Sequence, residues 1–130
     1  MAGTLAVTTA DKGRGVTEYQ FDWTSDASGD VNGTAQAVKA GTIVGVKFKP
    51  DSGGTQPTDL YDVVLNDAHS VDLLAGGGAN LSNATSTRKV PLLSTYARTY
   101  FEGGDLTLVV TNAGNAKGGL VYLWVKDGAP

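Results

Sequence analysis

Residues 16–24, Val-Thr-Glu-Tyr-Gln-Phe-Asp-Trp-Thr, place Tyr19, Phe21 and Trp23 at every second position, with Glu18, Gln20 and Asp22 around them. An extended chain points successive side chains to opposite faces, so this segment has one aromatic and one polar face only as a strand. In a helix the same three rings would be scattered around the cylinder. The segment therefore predicts a half-buried strand whose aromatic face needs a second layer to cover it.

The same period recurs along the chain, punctuated by turns. Residues 4–9 place Leu5 and Val7 on one face. Residues 42–49 set Val44, Val46 and Phe48 against Lys47 and Lys49, and residues 60–65 direct Tyr61, Val63 and Leu65 inward and Asp62 outward. Residues 31–38 read as a weak strand, at an edge, and residues 105–112 as a strand. Residues 119–126 are almost continuously apolar, which predicts a central strand covered on both faces and forming a hairpin with 105–112. Residues 92–101 mix periods, with strand favoured by their Thr and Tyr content. Val71–Ala75 fits a short strand or one helical turn, and 79–90 a loop with a short strand near Val90. Asp26–Asp30, Pro50–Pro57, Asn66-Asp67 and Ala113–Gly118 are turns or loops by composition.

Composition agrees. The chain has 130 residues, 18 of them Gly, and 11 of its 13 acidic residues are Asp. Gly is disfavoured in helix interiors and Asp favours turns. The expectation is a single all-β domain over residues 1–130: an antiparallel β-sandwich or jelly-roll-like barrel of seven or eight strands with little or no helix. Residues 1–15 are a candidate interacting N-terminal arm.

Charge and missing residue types narrow the function. The net charge is −3, and the ten basic residues are scattered, with Lys47/Lys49 and Arg88/Lys89 the densest groups. That is not the basic face of a nucleic-acid binder. Without cysteine there is no disulfide framework, thiolate metal site or thiol nucleophile. No apolar run approaches the roughly 20 residues of a membrane span. The first residues lack the basic and apolar regions of a secretory leader, so a soluble protein made in the cytoplasm is expected.

Catalytic constellations are not found. His69 stands alone, without a Gly-x-Ser-x-Gly elbow, and reads as an exposed turn residue. Asp62, Asp67, His69 and Asp72 lie close in sequence but lack the spacing of a calcium loop, and read as strand-end residues. The glycine-rich stretches at 76–81 and 114–119 fit neither phosphate-loop pattern. Glu18 and Glu102 are far apart in sequence, which gives no basis for a glycosidase pair. No cofactor, metal or catalytic residue is expected. Tyr19, Phe21, Trp23, Tyr122 and Trp124 fit a core, with a sugar-stacking platform as the alternative. Tyr96, Arg98, Tyr100 and Phe101 crowd large contact groups together and are candidate interface residues, as are Leu5 and Val7 of the N-terminal segment.

Four stretches together carry a resemblance: Phe21–Gly33 (FDWTSDASGDVNG), Pro57–Asp67 (PTDLYDVVLND), Val71–Leu81 (VDLLAGGGANL) and Leu106–Tyr122 (LTLVVTNAGNAKGGLVY). Over roughly residues 4–125 the chain resembles small virion structural proteins of tailed bacteriophages. The resemblance implies a capsid decoration, or cement, protein on the virion surface. Its partner would be the major capsid protein, and it would assemble as a homo-oligomer, a trimer or a dimer. A neck or tail accessory protein is the alternative within that class, and a carbohydrate-binding module the alternative outside it.

Overall fold

The computed structural model describes residues 3–90 and 100–127. It is an all-β fold. Among the described residues nine strands follow one another: β1 (Thr4–Gly13), β2 (Val16–Thr24), β3 (Val31–Val38), β4 (Gly41–Pro50), β5 (Asp62–Asn66), β6 (Thr87–Lys89), β7 (Tyr100–Phe101), β8 (Gly104–Thr111) and β9 (Gly118–Lys126). The only helical element among the described residues is a single 3-10 turn at Gly53–Thr55.

The strands form two antiparallel sheets. The larger runs β1-β2-β9-β4-β6, with β7 also paired to β4; the smaller runs β3-β8-β5. Their facing sides make one core. From the larger sheet come Tyr19, Phe21 and Trp23, then Val121, Leu123 and Val125, then Ile43, Val46 and Phe48. From the smaller come Val31, Val63, Leu65, Leu106, Leu108 and Val110, and all of these are buried. The period-two pattern thus selects the core, because alternate residues of each strand reach the space between the sheets.

Several expectations need correction. In β4 the inward residue is Ile43 rather than Val44. The pairing with β9 shifts between Ile43 and Gly45, so Val44 is the extra residue of a bulge, and the alternation restarts at Val46. Strands β8 and β9 do not form a hairpin: β8 pairs with β3 and β5, and β9 with β2 and β4. The six residues between them cross from one sheet to the other. Buried Ser25 fastens this crossing. Its hydroxyl donates to the Gly114 carbonyl at 2.5 Å and accepts from the Lys117 amide at 2.9 Å.

Within the candidate arm of residues 1–15, residues 4–13 form a strand of the larger sheet. They pair with β2 from Thr4–Thr24 to Gly13–Val16, and Leu5 and Val7 pack against the core. Here β1 leans onto β3, and a Cβ at Gly33 would lie 2.7 Å from that of Leu5. Only glycine gives β1 room at that crossing. Residues 71–75 form neither a strand nor a helix but consecutive turns that bury Leu73 and Leu74.

The turns account for the aspartates. Asp26 Oδ1 accepts the amides of Ser28 and Asp30. Asp72 accepts those of Leu65, Leu74 and Gly76. Asp62 accepts the Asn80 amide and the Asn112 side chain. A short carboxylate satisfies amide donors that no ladder reaches, which Glu does less readily in so tight a turn.

Candidate interaction surface

The outward face of the larger sheet gathers the chain's unusual chemistry. Strand register sets it out in three rows. The middle row runs Thr8, Gln20, Tyr122, Lys47, Arg88 across β1, β2, β9, β4 and β6. On one side of it lies Ala10, Glu18, Trp124, Gly45, and on the other Ala6, Asp22, Leu120, Lys49. Leu120, Tyr122 and Trp124 therefore form a half-buried stripe down the middle of the sheet.

The stripe is ordered by its neighbours. The two rings lie nearly parallel, with centroids 6.2 Å apart. Lys47 Nζ sits 4.8 Å from the Tyr122 centroid and Arg88 Cζ 5.1 Å from that of Trp124, both over the ring. Trp124 Nε1 donates to Glu18 Oε1 at 3.0 Å, and Glu18 Oε2 lies 3.6 Å from Lys12 Nζ. Gly45 makes room for this: a Cβ there would come within 3.3 Å of the indole. Tyr, Trp and Arg are the residues most enriched where interfaces derive their energy. Among the described residues, neither Lys47, Lys49 nor Arg88 has a carboxylate within ion-pair distance.

The strand spacing fits Tyr122 and Trp124 to the core with Tyr19, Phe21 and Trp23, with a sugar-stacking platform as the alternative. Only the last three are there. On a strand apolar at both parities, alternation does not say which side is inside. The usable signal was chemical: one parity holds Val121, Leu123 and Val125, with no polar atom, while the other holds rings with polar tips that suit a wet face.

Of the expected interface residues, Tyr96 and Arg98 lie outside the described residues. Tyr100 is exposed at 44%. Phe101 is buried in the chain's own core, one position on from exposed Tyr100 on the same strand, and Leu5 and Val7, opposite Trp23 and Phe21, are partly buried and pack against that core. At the Tyr100 end, the loop after β5 meets the residue after β7. Asp67, His69 and Glu102 bring their potential ligand atoms within 4.8 Å of one another. Asp67 Oδ1 accepts the Val71 and His69 amides, and these two bonds hold its carboxyl below the usual range. Asp62 and Asp72 do not join this group; their oxygens hold the turns described above. Among the described residues no cavity is found.

Comparison of the chain with family models, with curated proteins and with solved structures gives no match in any of the three.

Proposed function

We propose that this chain is a non-enzymatic structural protein of a tailed-bacteriophage virion, and specifically a decoration protein that binds and stabilises the assembled head. On this reading it is made in the bacterial cytoplasm, joins the capsid surface, takes the major capsid protein as its partner and assembles as a homo-oligomer. The observation that carries the reading is the open face around Tyr122 and Trp124. Its contact chemistry is spread over five strands and suits another macromolecular surface better than a small enclosed ligand. The sequence resemblance supports it. A decoration protein needs one surface for the shell and another for its own copies, and the molecule offers two exposed candidates, this face and the Tyr100 end.

The test is co-sedimentation with heads assembled without the protein. Saturable retention on heads, and increased resistance of those heads to heat, is expected. Retention only on isolated necks or tails would replace this reading with that of an accessory protein.

One observation favours a second reading. Tyr122 and Trp124 are a half-buried aromatic row on an open sheet face with polar neighbours, as a carbohydrate-binding module uses. Against it, a cation already lies over each ring, and a sugar stacking on that side would have to displace it. Binding to a glycan array that Trp124→Ala abolishes, with no retention on heads, would establish the carbohydrate reading instead.

A further inference from the structure

The charges on the open face are arranged unevenly about the β9 stripe. On the β2 side stand Glu18 and Asp22; on the β4 and β6 side stand Lys47, Lys49 and Arg88. Glu18 is balanced by Lys12 of its own chain, which leaves Asp22 as the carboxylate of this face with no ion-pair partner among the described residues. A two-fold axis lying along β9 in the plane between two such faces would turn one copy so that its β2 side covers the β4 side of the other. Leu120, Tyr122 and Trp124 would then meet their own counterparts. Each Lys49 would face Asp22 of the second copy, and the strand positions of Lys47 and Arg88, whose head groups lean over Tyr122 and Trp124, would lie opposite Gln20 and Thr8, which offer oxygen acceptors and no charge. The other in-plane axis, across the strands, would set Lys47 on Lys47 and Asp22 on Glu18. Like charges exclude it.

We propose that this face is a dimer interface and that its occupant is a second copy of this chain, related by the two-fold axis along β9. The argument is charge complementarity. It does not depend on the virion reading. Packed sheets lie ~10 Å apart, a distance that an extended lysine and an aspartate span together. Lys126, the next outward residue on the stripe, turns its ammonium toward the Arg14 carbonyl, 3.5 Å away and off the axis. Five strands at ~4.8 Å spacing give a face about 20 Å wide. That is small for a specific interface, so dimerisation is expected at micromolar rather than nanomolar concentration.

The test is sedimentation equilibrium of the full chain across the micromolar range, with two single variants, Lys49→Asp and Asp22→Lys. Both positions are exposed, so folding should be unaffected, and circular dichroism checks it. The wild type should be a monomer–dimer mixture, and each variant should dissociate at least tenfold more readily. An equimolar mixture of the two should dimerise again, because both cross-pairs are restored, and so should the double variant. A wild type that stays monomeric overturns the proposal. So does a trimer, a dimer indifferent to both variants, or a mixture that fails to recover. Capsid retention is a separate measurement, so loss of the virion reading and loss of this dimer are distinguishable.

Discussion

Lys47 of β4 and Arg88 of β6 stand directly opposite one another on the same face of the sheet. Like charges in that position repel, yet each lies over its own aromatic ring, Tyr122 or Trp124. The rings hold together two basic groups separated by 40 residues of sequence. Repulsion and cation–π attraction are each worth roughly 0.5–1 kcal/mol here, so neither dominates.

Removing one cation should therefore change little. Arg88→Ala loses a contact and a repulsion together, and its unfolding free energy is expected within about 0.5 kcal/mol of wild type. Tyr122→Leu removes a contact while keeping the repulsion and should lose about 1 kcal/mol or more. Urea unfolding measures both. An Arg88→Ala loss larger than that of Tyr122→Leu would show that the two effects do not cancel.

Alkali should weaken the fold through Tyr61. This ring is buried against Trp23, with centroids 5.7 Å apart. Burial, and then the charge of Asp51, push its phenol up to about 12. The folded value lies above the unfolded one, so the contribution is complete below about pH 10 and is lost as pH rises from there through about 12. Two pH units correspond to about 3 kcal/mol. Unfolding followed against pH should show this loss, and Tyr61→Phe should remove most of it. An identical alkaline slope in Tyr61→Phe would refute the assignment.

The loop after β5 should be sensitive to acid. The Asp67 carboxyl is held low by the Val71 and His69 amides, so its support is present above the ordinary carboxylate value and is lost as pH falls through the lower folded one. Amide exchange of His69 and Val71 should accelerate over that range before the core opens. Asp72, with three amides on its oxygens, is expected to cost about 2 kcal/mol when replaced by Ala. Simultaneous exchange of loop and core amides at every pH would contradict local opening.

Gly33 tests whether β1 is part of the sandwich. Gly33→Val places side-chain atoms where Leu5 lies and should destabilise by about 1–3 kcal/mol through overpacking. Leu5→Ala in that background should recover part of the loss. A stable Gly33→Val protein with wild-type exchange in β1 would indicate that β1 is not held against β3.

Much of the fold was legible because burial here follows a period of two: Tyr19, Phe21, Trp23, Tyr61, Val63 and Leu65 all lie inside as the alternation requires. It failed where the period is broken or uninformative. The bulge at Val44 changes parity without a local signal. Whether β8 and β9 pair depends on where a six-residue connection goes, and its anchor, Ser25, is 89 residues from Gly114 in sequence. The open face was illegible for the same reason. Lys47, Arg88, Glu18 and Trp124 become neighbours only through the strand order, and Glu102 lies more than 30 positions in sequence from Asp67 and His69, which it meets in space.

The virion reading is tested most directly by the amount of this chain on purified particles. Quantifying it against the major capsid protein, in virions from cells that produce both, gives the stoichiometry. The decoration reading predicts a copy number that scales with the subunits of the shell and falls to zero on heads stripped of their outer layer. A few copies per particle, retained on isolated necks or tails, or complete absence from virions, would contradict it.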